Sequence, residues 1–290
     1  MRIPRSVLSS SMLATSHVSE KNASHGTAAP GTALAALPAL ALRYPPTAST
    51  AMTALPLFVV SPHFDDAAFG CGTLLALHPG SVVCTVFAGR PSLPMSTSWD
   101  RSAGFAHSDA ALEARRREDD RALSILAARG VRLGFLDSQY ETPQSMQAIA
   151  DALLDAWRAA DSPPVVAPLG LFHSDHRLAS DAVCDLLARG ALPSAVAYED
   201  ALYRRIPNEM RARREALARR GFELDATLPD ALAPLTGARA AAPKWRSVRA
   251  YRSQLRALDD AYPHDLAEPE RYWRLLAKHR TRYRPPPSRG

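Results

Sequence analysis

"LPLFVVSPHFDD", residues 55–66, runs from an apolar stretch directly into one histidine and two adjacent carboxylates. The apolar half is short, rich in β-branched and aromatic residues and free of polar alternation, the pattern of a strand buried on both faces. Four other runs share it: "SVVCTVFAG" (81–89), "VRLGFL" (131–136), "PVVAPLGLF" (164–172) and "AVAYE" (195–199). Helical patterns stand between them: "DDAAFGCGTLLALH" (65–78), "SDAALEARRREDDRALSILAAR" (108–129), "PQSMQAIADALLDAWRAA" (143–160) and "DHRLASDAVCDLLARG" (175–190). Such alternation calls for right-handed crossovers, hence an α/β fold with a mostly parallel sheet and helices on both faces. Ser108 or Asp109 is expected to cap the second helix and Gly130 to end it. After about residue 205 the pattern is less regular, with helices expected at 208–220, 243–257 and 268–280.

The chain has 290 residues, 47% of them hydrophobic and 22% charged, an ordinary balance for a globular protein with a proper core. Its net charge of +6 comes mostly from arginines interleaved with acids, as on solvated helix faces. No aromatic-rich RNA-binding motif or zinc-finger spacing accompanies them, so no nucleic-acid partner is expected. Cys71, Cys84 and Cys184 are odd in number and without paired spacing. That argues against a disulfide scaffold and fits a reducing, cytoplasmic setting. "ALAALPALAL" (33–42) is broken by Pro38 and too short to span a membrane. Residues 1–54, rich in Ala, Ser, Thr and Pro without periodicity, read as a disordered or linker extension, with Met52 as an alternative start. Residues 55–285 are then the expected folded domain.

In an open parallel sheet, functional residues collect in loops at the carboxyl ends of strands. "SPHFDD" (61–66) occupies such a loop, and so does "HSDHR" (173–177) after the fourth apolar run. Together they offer His63, Asp65, Asp66, His173, Asp175 and His176. Three N/O ligands with one open position make the arrangement of a catalytic zinc. One of Asp65 and Asp66 can bind the ion while its neighbour removes a proton from water. A spare histidine, His173 or His176, can stabilise the developing oxyanion. Either loop alone reads as a helix cap; two of them, each after a buried strand, favour metal binding. "AHSDA" (106–110) follows no strand and reads as a cap only, and His78 reads as a helix-end histidine. "FGCG" (69–72) lacks the lysine of a phosphate loop and reads as close helix packing, with Cys71 in the core.

These motifs resemble those of the LmbE-like, or PIG-L, family of zinc-dependent N-acetylglucosaminyl deacetylases. The family's strand followed by His-Pro-Asp-Asp and a Gly-Cys-Gly-like turn is here "VVSPHFDDAAFGCG" (59–72). Its His-x-x-His signature is here "HSDH" (173–176). Weaker likenesses are "RREDDRALSILAARGVRLGFLDSQY" (116–140) and "KWRSVRAYRSQ" (244–254), and the match spans about 56–257. Phe64 stands where the family usually has proline, and Ala67 where it often has glutamate.

The resemblance implies a Rossmann-like α/β domain in which His63, Asp66 and His176 hold Zn2+. It implies Asp65 as general base, His173 as the group that polarises the amide carbonyl and acts as acid, and Asp175 as the residue orienting His173. The implied reaction removes the N-acetyl group of a small-molecule N-acetylglucosamine-type glycoconjugate by attack of zinc-bound water. Arg90, at the carboxyl end of the second strand, is a candidate contact to sugar or phosphate. The alternatives are an amidase of thiol conjugates on the same fold, and a non-catalytic basic binder of anionic glycans or nucleic acid.

Overall fold

The apolar runs become the strands β1 (Phe58–Ser61), β2 (Val82–Thr85), β3 (Arg129–Arg132), β4 (Val165–Pro168) and β5 (Ala195–Tyr198). They belong to a computed structural model that describes residues 54–226, 238–258 and 264–278. The extension expected over 1–54 lies, except for Ala54, outside the described residues, and so does the tail after 278. All residues of β1, β2, β4 and β5 are buried. Successive side chains alternate between two cores: Val59, Val83, Val166 and Val196 join one apolar cluster, and Phe58, Val60, Val82 and Val165 the other. Helices α1 (Asp66–Leu77), α3 (Ser108–Ile125) and α7 (Ala238–Val248) pack together on the first side. Helices α4 (Met146–Ala159) and α5 (Ser174–Ala188) pack together on the other. Among the described residues the other helices are α2 (Ser98–Ser102), α6 (Glu209–Arg219) and α8 (Arg252–Ala257).

The sheet has seven strands in the order β3-β2-β1-β4-β5-β7-β6, parallel from β3 to β5. The last two strands differ from expectation. Residues 268–280 were expected to be helical, but Tyr272–Ala277 form β7, antiparallel to both β5 and β6 (Phe222–Asp225). The free edge of β5 supplies the backbone partners, and the adjacent Tyr272 and Trp273 suit a pleated surface, so tertiary pairing overrides the helical reading. Likewise, the single helix expected at 243–257 is two, with a break at Arg249–Tyr251.

Helix α3 also ends earlier than expected. Its chain reversal falls at Ala127, which takes a left-handed φ of 53°, and Gly130 lies inside β3 opposite Val83. A Cβ on Gly130 would stand 3.1 Å from Leu123, so the glycine serves close packing of α3 on the edge strand. His107 occupies the N-cap position without a side-chain cap bond, and Ser108 instead accepts a hydrogen bond from the Met95 amide. The "FGCG" expectation holds: a Cβ on Gly70 would meet the Tyr198 ring of β5 at 2.6 Å.

Helix α1 carries a kink at Cys71 (φ −142°, ψ 29°). The kink turns the amides of Thr73 and Leu74 outward, and the carboxylate of Glu270 accepts both, at 2.8 and 3.3 Å. The Glu270 charge is met by Lys244 of α7 at 2.7 Å, and the Tyr272 hydroxyl donates to it at 2.6 Å. The segment leading into β7 is thereby fastened to the helix that begins at Asp66. Removing one partner of a buried ion pair costs about 3–5 kcal/mol. Glu270→Ala should therefore lose about that much stability in urea unfolding; a loss below about 1 kcal/mol would show that the cluster holds nothing.

Candidate metal centre

Strands β1 and β4 are neighbours, and the chain leaves them in opposite directions along the sheet, β1 toward β2 and β4 toward β5. A crevice opens at such a reversal, beyond the carboxyl ends of the strands. The loops 61–66 and 173–176 meet there. Ser61 shapes the first of them: its hydroxyl donates to the His63 carbonyl at 2.5 Å and accepts from the Ala67 amide at 3.0 Å. The second loop leads straight into α5, so Asp175 and His176 sit in the first turn of that helix, both buried.

His63, Asp66 and His176 converge on one point. Asp66 Oδ2 lies 3.1 Å from His63 Nδ1 and 3.2 Å from His176 Nε2. Donors about 2.1 Å from a shared tetrahedral ion stand roughly 3.4 Å apart, so this spacing would suit three ligands of one ion. One ligand atom from each residue lies within 4.8 Å of the others. The far nitrogens are held as second partners of metal-binding histidines usually are. His176 Nδ1 lies 2.6 Å from Asp200 Oδ1, and His63 Nε2 lies 3.0 Å from Asp175 Oδ2. The residues present fit a divalent ion.

Asp200 was not foreseen. It follows β5 with only Glu199 between, and its second oxygen accepts from the Gly170 and Leu171 amides at 2.8 and 2.9 Å. It thus fixes both the His176 ring and the backbone after β4. A pair of acids, Glu199 and Asp200, closing an apolar run was the available signal, related to the His and Asp residues that marked the other two loops. Asp137, after β3, was also missed; it comes within 3.9 Å of His63 Nε2.

Asp65 occupies the N-cap position of α1, yet its side chain makes no cap hydrogen bond. The cap reading therefore does not account for its carboxylate, which lines a cleft of about 230 Å³ together with His63, Asp66 and His173. Asp175 orients a different residue from the one expected. Its carboxylate faces His63 and stands 4.0 Å from His173 Nδ1, which instead accepts from the Asp175 backbone amide at 3.2 Å. That bond leaves His173 Nε2 as the protonated nitrogen of the neutral ring. Arg90 is not brought to the cleft: it is exposed and 3.8 Å from Asp109.

Burial would lower the pKa of His63 and His176, but the acids around them win. His63 rises well above its ordinary value through Asp137, Asp175 and Asp66, and His176 rises to about 9 through Asp66 and Asp200. Burial would raise Asp66, yet the two histidines hold it well below the carboxylate range. Asp65, raised by burial and then by Asp66, titrates at about 7. His173 falls to about 4 through burial and the positive charge of His63 and His176, so it is neutral at physiological pH.

Comparison with known proteins bears on the fold and the family. Residues 58–187 match the PIG-L family model, described as GlcNAc-PI de-N-acetylase. A deacetylase triple mutant of the teicoplanin biosynthetic pathway is similar in structure at 24% identity and a TM-score of 0.62, covering 78% of this chain and 100% of that one. The A40926 pseudoaglycone deacetylase aligns at 22% identity and a TM-score of 0.61, covering 78% and 99%. A zinc-inhibited form of teicoplanin deacetylase aligns at 22% identity and a TM-score of 0.58, covering 78% and 100%. At these identities the likeness establishes a common fold. No curated protein matches the chain. Among the described residues no helix is long and apolar enough to cross a membrane.

Protons held by His63 and His176 must leave before an ion can bind. Raising the pH from 6 to 8 should therefore strengthen zinc binding by roughly one to two powers of ten per pH unit. Calorimetry in buffers of different ionisation enthalpy should detect release of one to two protons; affinity independent of pH would contradict the assignment.

Proposed function

Taking the PIG-L domain at residues 58–187 as the premise, we propose that the protein is a metal-dependent hydrolase. Its substrate is an N-acetylglucosamine-type glycoconjugate, from which it removes the acetyl group. The observation that carries this reading is a cleft-lining carboxylate, Asp65, that caps no helix and stands next to three residues that could hold an ion.

His63, Asp66 and His176 would hold the ion, and zinc suits two imidazoles with one carboxylate, although other divalent ions accept the same donors. Bound there, the ion would lower the pKa of a water and polarise the acetamide carbonyl. The chain's residues do the rest. Asp65 removes a proton from the attacking water, and its carboxyl, titrating near neutrality, returns that proton to the departing amine nitrogen; the acid role that the resemblance implies for His173 thus passes to Asp65, because the His173 ring is neutral. His173, a neutral ring with Nε2–H available, donates to the oxyanion that develops as the carbonyl carbon becomes tetrahedral. Asp200 and Asp175 hold the two ligand rings from behind. Water and amide are consumed, and acetate and a free amine are released.

Residues 55–285 are proposed to act as one domain. The free, buried cysteines Cys71, Cys84 and Cys184 suit work in the reducing cytoplasm.

Asp65→Asn removes the base and leaves the ligands. General-base loss costs about 10²- to 10⁴-fold, so turnover of an N-acetylglucosaminide should fall by that much while zinc content stays at one per chain. His176→Ala should lose the zinc as well. If Asp65→Asn turns over within a few-fold of wild type, the assigned base is wrong.

A further inference from the structure

The wall of the cleft formed by α2 and α8 contains a polar group that the proposed chemistry does not use. Gln254 of α8 is 5% exposed and lines the same cleft as Asp65 and His173. Its side-chain oxygen accepts from the Trp99 indole N–H at 3.1 Å. An indole nitrogen only donates, so the atom facing it must be the amide oxygen, and the amide NH2 is left for another partner. That NH2 makes no hydrogen bond among the described residues.

The neighbouring glutamine of the cleft is unlike it. Gln139 accepts from the Thr97 hydroxyl at 2.7 Å and donates to Asp137 at 2.6 Å, so both ends of its amide are engaged. Gln254 is also held in place from behind. Glu118 of α3 accepts from the Ser253 amide at 2.9 Å and from its hydroxyl at 2.6 Å. Asp119 accepts from the Tyr251 hydroxyl at 2.9 Å. The acidic pair on α3 thus fixes the residues just before Gln254, and Trp99 fixes its side chain. Such an arrangement presents two N–H donors in a set position, beside an indole.

The charge nearby bears on the kind of acceptor. Arg115, which also lines the cleft, is tied to the buried Asp100 at 2.6 Å and so brings little net charge. A neutral donor beside an aromatic ring suits a neutral acceptor on a molecule that also has an apolar face, which describes a sugar ring with its hydroxyls.

We infer that Gln254 is a specificity-determining residue, whose free side-chain amide donates to a hydroxyl of the substrate's sugar while Trp99 holds that amide in place. The inference rests on the proposed deacetylation of a glycoconjugate, because it concerns the same cleft.

The test compares zinc-loaded wild type, Gln254→Leu and Gln254→Glu on a methyl N-acetylglucosaminide and its monodeoxy analogues. Gln254→Glu keeps the oxygen that Trp99 needs and the side chain's shape but loses the NH2, so it serves where the leucine variant folds poorly. A site built to hydrogen-bond a hydroxyl discriminates strongly against its absence. Wild type should lose about 10- to 100-fold in kcat/KM on one deoxy analogue. The variants should lose a similar factor on the parent sugar and little more on that analogue. Calorimetric binding of the same sugars should show the same pattern. Equal discrimination by variants and wild type overturns the role of Gln254. Wild-type binding with this pattern but without hydrolysis overturns the deacetylase reading alone, and no binding of any of these sugars overturns both.

Discussion

One carboxylate oxygen ties the two halves of the site together. Asp66 Oδ2, at the start of α1, is within 3.2 Å of imidazole nitrogens from both loops, and it also accepts from the His63 backbone amide at 2.8 Å. His63 comes from the loop after β1 and His176 from the first turn of α5 after β4. Their meeting depends on the sheet order, since β1 and β4 are direct neighbours despite the helices and strands between them in sequence. Without this adjacency, the two loops would be two unrelated helix starts.

The charge around that contact explains why the arrangement suits a cation. Asp65, Asp66, Asp137, Asp175 and Asp200 all act electrostatically on the three histidines or on one another. In water such a set would repel; in a buried crevice it needs positive charge. Protonated imidazoles can supply it, which is why His63 and His176 keep their protons so firmly. A divalent ion can supply it better, because it takes the place of two protons at once. Burial and the positive charge of His63 and His176 keep His173 neutral, and the neutral ring still carries one N–H that could meet an oxyanion.

Much of this was legible in the sequence because the signals were local. A wholly apolar run followed by His and Asp residues is short, and two such runs marked both loops and the parallel core. What escaped was set by distant partners. Asp200 is placed by a ring and two amides 24 to 30 positions away; an acid after the apolar run "AVAY" could mark the residue, but not those partners. The pairing of Asp175 with His173 was implied by the family resemblance, but the carboxylate reaches to His63, 112 positions earlier. The tail was misread for a related reason. "YWRLLA" is compatible with a helix until the open edge of β5 is present to pair with it. Gly130 was read as a helix stop from its type, whereas its role comes from the Leu123 side chain packed over it.

The central claim is that two imidazoles and one carboxylate share a single ion at the reversal point of the sheet. The most direct measurement is anomalous diffraction at the zinc edge from crystals of the zinc-loaded protein. The account predicts one strong peak within about 2.1 Å of a nitrogen of His63, a nitrogen of His176 and an oxygen of Asp66. A zinc peak at other residues, or none in protein loaded with a full equivalent, would contradict it.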